Sequence, residues 1–159
     1  MKMLMTAAVL MVASSAHAAT LEFSVRDSEK FSDLRTTNGN EAGFRKEVLA
    51  SLEAQFRNEA SRLPENEVLK VELTDLNLAG EIEYFIPGYP FGVRVVRNLD
   101  VPGMELSYQL LSADQKVLKS GGDKFSDLGF RSGLGTWRMN QSLDYEKRMI
   151  SKWYRETLQ

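Results

Sequence analysis

The chain has 159 residues, no cysteine, a single histidine and a net charge of −2 at pH 7. That histidine, His17, lies in a segment with the marks of a cleaved leader, so the mature chain is expected to carry neither imidazole nor thiol. Ser-His-Asp triads, Cys nucleophiles, thiol redox chemistry and metal sites built on His or Cys are thereby excluded.

Lys2 gives the first 18 residues a positive start. Met3 to Ala13 follows as an apolar run broken only by Thr6, and Ala16-His17-Ala18 supplies the small-x-small cleavage pattern. The run falls short of the roughly 20 apolar residues that span a bilayer. Cleavage is expected before Ala19, leaving one domain over residues 19–159. No cysteine follows the run, so a lipid anchor is excluded. The periplasm is the expected destination, with full secretion as the alternative, and no membrane insertion is expected after cleavage. Without Lys2, 19 basic face 22 acidic residues, a charge of −3. An acidic chain with no basic block is a poor match to nucleic acid or an anionic membrane surface. With no disulfide available, stability must come from packing.

Leu21, Phe23 and Val25 alternate with polar residues and predict a half-buried strand. Asp27 to Asn40 reads as a loop. Asn40 can cap a helix running to about Leu63, with Phe44, Val48, Leu52, Phe56, Ala60 and Leu63 as its buried stripe. Glu41 with Arg45, and Glu53 with Arg57, are spaced to pair on its wet side. Glu67 to Leu76 is the next strand. Glu81 to Asp100 reads as a loop in its first half, where Pro and Gly cluster, with a short strand possible at Val93 to Val96. Met104 to Leu110 is a strand, Ala113-Asp114-Gln115 a turn, and Val117 to Ser120 its hairpin partner, ended by Gly121-Gly122. Asp123 to Gln141 reads as irregular. Its Gly133-Leu134-Gly135 lacks the lysine of a phosphate-binding loop. The last element is a helix from about Leu143 to Thr157, capped by Ser142, with Asp144 spaced to pair with Arg148 and an apolar face of Tyr145, Met149, Ile150, Trp153 and Tyr154.

Lys30-Phe31-Ser32-Asp33-Leu34 recurs letter for letter as Lys124-Phe125-Ser126-Asp127-Leu128. A shared turn chemistry explains the echo most simply. A sharper reading is that the two copies lie side by side and build one site.

Phe31-Ser32-Asp33, the run Thr74-Asp75-Leu76-Asn77-Leu78-Ala79-Gly80-Glu81, Glu105-Leu106-Ser107-Tyr108, Ser126-Asp127, and Tyr145-Glu146-Lys147-Arg148-Met149 with Trp153 carry a family resemblance. The chain resembles the short exported bacterial proteins of domain-of-unknown-function family 3016. The resemblance covers nearly all of the mature chain, and Asp75 to Glu81 is its most specific part. It implies export and a single domain. The family has no established activity, so it implies no catalytic residue.

Two clusters are candidates for chemistry. Asp75 and Glu81 flank the end of a central strand and, with Asp33, Asp100 or Asp127, could form a carboxylate pair of the kind that hydrolyses glycosidic bonds or binds a hard cation. No cation-loop spacing is present, and neither a metal nor a cofactor is expected. The second cluster is aromatic. Tyr84, Phe85, Tyr89 and Phe91 sit among Pro87, Gly88, Pro90 and Gly92, with Arg94 and Arg97 just beyond as anchors for an anionic group. Rings in so short a loop are hard to bury and point to a contact surface.

The expected architecture is a single two-layer α+β domain. A mixed sheet of about four strands, a parallel pair plus an antiparallel hairpin, is packed on one face by the long helix and the C-terminal helix. The expected function is a small periplasmic binding or accessory module that recognises an envelope protein or polymer. The alternative is a carboxylate-based hydrolase acting on a glycan. The missing histidine leans the reading away from an enzyme, and the oligomeric state is left open.

Overall fold

Alternating apolar residues build the sheet, and the periodic stripes of two helices cover one of its faces. The computed structural model describes residues 19–130 and 143–159. In chain order these form β1 (Thr20–Val25), a one-turn 3-10 helix (Ser28–Lys30), α1 (Glu41–Ala60), β2 (Val68–Asn77), β3 (Glu81–Glu83), β4 (Val93–Val95), β5 (Gly103–Leu111), β6 (Val117–Ser126) and α2 (Asp144–Leu158). The main sheet has the order β1-β2-β5-β6, and β3 pairs with β4 in a second, two-stranded sheet. β1 runs parallel to β2, while β5 is antiparallel to both of its neighbours. The expected α+β class and mixed four-stranded sheet are thus observed. The Gly133 to Gly135 loop and the Ser142 cap lie outside the described residues.

Leu69, Val71 and Leu73 of β2 and Met104, Leu106, Tyr108 and Leu110 of β5 are buried together with Val48, Leu52 and Phe56 of α1 and Met149, Ile150 and Trp153 of α2. β2 is irregular at Thr74, where the register against β5 shifts between Leu73 and Asp75. The extra residue resets the alternation. Leu76 and Leu78, out of step with Leu69, Val71 and Leu73, therefore join the core at 0 % and 2 % exposure.

α1 begins as expected: the Asn40 side chain accepts a hydrogen bond from Gly43 N at 3.0 Å. It ends at Ala60 rather than Leu63, in a tightened turn in which Arg62 N and Leu63 N donate to Glu59 O and Ala60 O. Glu53 pairs with Arg57 at 2.6 Å. Arg45 reaches Glu29, not Glu41, whose carboxylate accepts from Thr36 N. Between the helices, buried Glu59 accepts from Gln55 Nε2 at 2.9 Å and Ser151 Oγ at 2.5 Å. This polar contact fixes the sliding of α2 along α1, a specificity that apolar packing alone supplies weakly.

β6 is longer than the sequence suggests. It continues through Gly121-Gly122 to Ser126, so Asp123 to Ser126 is strand rather than irregular chain. The reason is Tyr108. A Cβ at Gly121 would lie 3.1 Å from the Tyr108 ring. The glycine admits a cross-strand aromatic instead of ending the strand. Burial, followed by the nearby Asp123 charge, pushes the Tyr108 hydroxyl above its ordinary pKa.

Candidate binding hairpin

The segment Tyr84 to Gly92 is the tip of a hairpin whose stems are β3 and β4. The register is Glu81 with Val95, Ile82 with Arg94 and Glu83 with Val93. Glu81 to Glu83, expected as loop, is therefore strand. The pairing of β4 stabilises it despite its length of 3 residues. The tip folds through two consecutive turns, in which Tyr89 N donates to Ile86 O and Gly92 N donates to Tyr89 O. Gly92 has φ +85°, and a Cβ there would lie 2.9 Å from Glu83 O, so glycine is required for closure. Phe85 also has positive φ, 65°, without being glycine. Such strain costs on the order of 1 kcal/mol and persists only where its surroundings impose it.

The rings of the tip face solvent. Tyr84 is 60 %, Phe85 101 %, Tyr89 44 % and Phe91 76 % exposed. They do not fold back over the sheet. The base of the hairpin, in contrast, is fixed, with Val93 and Val96 buried.

The two arginines hold this base. Arg94 donates from Nη1 to Asp33 Oδ2 at 2.6 Å and from Nη2 to Asp33 Oδ1 at 3.2 Å. The same guanidinium donates to Gly80 O and to Arg35 O. Its side chain is 14 % exposed and that of Asp33 only 9 %. Arg94, expected to receive an external anion, is thus engaged within the fold as a bidentate clasp. Arg97 pairs with Glu83 across the hairpin, and its backbone N donates to Asp100 Oδ2. The Glu83 hydrogen bond raises the Arg97 pKa further.

The carboxylates named from the sequence are largely occupied by the fold. Asp33 receives Arg94 and, at 3.3 Å, Arg35 Nε. Asp75 accepts from Ser32 N at 2.6 Å and Ser32 Oγ at 2.5 Å. Asp127 accepts from Gly129 N and Arg148 Nη2, both at 3.2 Å. Glu81 is exposed at the start of β3. Among the described residues no group of three or more acidic or imidazole side chains is placed to hold a metal ion.

The echoed Phe-Ser-Asp segments lie in one row across the end of the sheet, since Asp33 bridges Asn77, Asn77 faces Gly103 and Gly103 faces Ser126. Two strands separate them, so they are not adjacent. Each instead performs the same local task. Its buried Asp binds an arginine that also donates to a backbone carbonyl: Arg94 to Gly80 O, and Arg148 to Phe130 O.

Between the two segments runs Asp75 to Glu81, the hub of the region. Asn77 Nδ2 donates to Val101 O at 3.0 Å, and Ala79 N donates to the fully buried Glu146 at 2.7 Å. Gly80 has φ +84°, and a Cβ there would meet Val95 O at 2.6 Å. Sequence reasoning missed Glu146 as a positioning residue. An acid in the first turn of a helix, among charged neighbours, is ordinarily read as solvated, and the partner of Glu146 is a backbone N–H with no sequence signature.

Fold and site together define a two-layer α+β protein that projects aromatic rings from a second small sheet. The family model described as "Protein of unknown function (DUF3016)" matches residues 19–156, and the chain belongs to that family. Neither a curated protein nor a solved structure matches the chain. Among the described residues no helix is long and apolar enough to cross a membrane.

Proposed function

We propose that the protein is a small binding or accessory module of the periplasm that recognises an envelope protein or polymer through the aromatic tip. Secretion is the alternative location for the same activity. The observation that supports this reading is an exposed, charge-free run of four rings on a hairpin whose base is locked. Large rings held away from the core do nothing for stability. A rigid base lowers the ordering cost of binding. Aromatic side chains of this kind are enriched among the residues that dominate contact energies.

The hydrolase reading has less support. Asp33, Asp75 and Asp127 each accept hydrogen bonds that shape the fold, so none is free to act as a general acid or nucleophile without undoing a structural contact.

The test replaces Tyr84, Phe85, Tyr89 and Phe91 together with Ser. The melting temperature is expected to stay within a few degrees, because exposed positions contribute little. Crosslinking capture from the native compartment should lose its dominant partner. A large drop in melting temperature, or capture unaffected by the four changes, would refute the reading.

A further inference from the structure

Beside the hairpin lies a groove of about 770 Å³, walled on one side by Arg94 and Arg35, both engaged with Asp33, and by Thr36 and Asn38. Its volume falls within the roughly 300–1,000 Å³ typical of ligand sites. Phe44 and Val48 of α1, Leu78, and Ile82 and Val93 of the hairpin give it an apolar floor. Thr37, Glu47, Ser51 and Lys147 line it as well. Among the described residues these four side chains have no hydrogen-bond or ion-pair partner. Elsewhere the fold uses its polar groups densely, as at Asp33, Asp75, Glu59 and Glu146. Exposed Glu47 and half-buried Thr37, Ser51 and Lys147 thus edge an apolar floor, the arrangement of polar groups a ligand site uses to orient its occupant.

We infer that this groove binds a neutral, hydroxyl-rich polymer, a glycan strand, and that the Tyr84 ring continues the site. The inference rests on the binding reading above and gives it a ligand class. Three observations carry it. Arg35 and Arg94 in the lining are already engaged with Asp33, and the remaining unpaired set contains two hydroxyls, one carboxylate and one ammonium. A bare anion would meet Glu47 and a bare cation would meet Lys147, whereas sugar hydroxyls and acetamido groups donate and accept equally and satisfy both. The apolar floor suits the C–H face of a pyranose ring. Finally, Ile82 and Arg94 face each other in the β3–β4 register and share one face of the hairpin. Tyr84 lies two residues beyond Ile82, with its Cδ1 3.0 Å from where a Gly92 Cβ would be. The ring thus lies against the glycine backbone with its other side exposed, just beyond the Ile82 that lines the groove.

The test uses the protein purified after export and the β-1,4-linked tetrasaccharide of N-acetylglucosamine, followed by amide NMR up to about 10 mM, a range that detects binding as weak as a few kcal/mol. Saturable shifts are expected at Thr37, Ser51 and Leu78 together with Tyr84. Tyr84→Ser should weaken the affinity several-fold, up to about tenfold. Thr37→Val with Ser51→Ala should weaken it at least as much, with the melting temperature unchanged because these hydroxyls have no partner among the described residues. Shifts confined to Phe85 and Phe91 would overturn the groove as a site while leaving the tip reading standing. No shift at all, alongside capture of a protein through the tip, would overturn the glycan and keep the binding module. Loss of both would remove the two readings together.

Discussion

Replacing Arg94 with Leu is expected to destabilise the protein by about 3–5 kcal/mol, because it leaves the buried Asp33 carboxylate with the exposed Arg35 as its one remaining charged contact among the described residues. The total stability of a domain of this size is about 5–15 kcal/mol, so the loss is a large fraction of it. Gly80 O and Arg35 O lose a donor in the same step. Denaturant unfolding should show a lower midpoint. The double variant Asp33→Leu/Arg94→Leu should recover part of the loss, since it removes the under-paired buried charge as well as its main partner. A double variant no more stable than the single one would show that the backbone contacts, not the ion pair, dominate. Because Arg94 fixes the base of the hairpin, binding through the tip should weaken in the single variant even at temperatures where the sheet remains folded.

Trp153→Ala is expected to cost a similar amount, about 3–5 kcal/mol, through a cavity at the centre of the core. The indole is edge-on to Phe56 and Tyr108 at centroid distances of 5.8 and 5.4 Å, and it stacks on Phe125 at 6.2 Å. Its Nε1 donates to Asp123 Oδ2 at 2.7 Å. Trp153 thus joins α1, β5 and β6 through one side chain. Trp153→Phe should lose less, since it keeps ring contact and gives up the hydrogen bond. The order Ala below Phe below the native residue in thermal unfolding is the expected result. Equal stability of the two variants would mean that the hydrogen bond to Asp123, rather than packing, carries the effect.

Much of this fold is legible in the sequence because it follows simple periods. The alternation in β1, β2 and β5 and the stripe of Val48, Leu52, Phe56 and Ala60 mark the layers, and the order strand, helix, strand suits the parallel pair that forms. Where reading by period fails, a cross-strand neighbour is responsible. Gly121-Gly122 looks like a strand end until Tyr108 is placed over it, and Glu81 to Glu83 looks like loop until β4 supplies a partner. The aromatic tip is visible as composition, and the structure places it in solvent. The roles of Arg94, Asp33, Asp75 and Asp127 are not visible, because their partners are distant in sequence. Arg94 meets Asp33 across 61 residues. Exposed charge and clasped charge read alike in one dimension.

The hairpin spans few residues, but what holds it is non-local. Its base depends on Asp33, which precedes α1, while the adjoining Ala79 N depends on Glu146 in the last helix, a separation of 67 residues. A two-stranded hairpin alone is marginal in water. Long-range contacts of this kind form late, after the chain entropy of closing large loops has been overcome. The aromatic tip therefore acquires its fixed presentation only when β1, β2 and α2 are all in place. Until those contacts form, the tip is not yet aimed. The binding proposed for the tip is in this way tied to completion of the whole domain, and local opening at either terminus should switch it off before the central strands unfold.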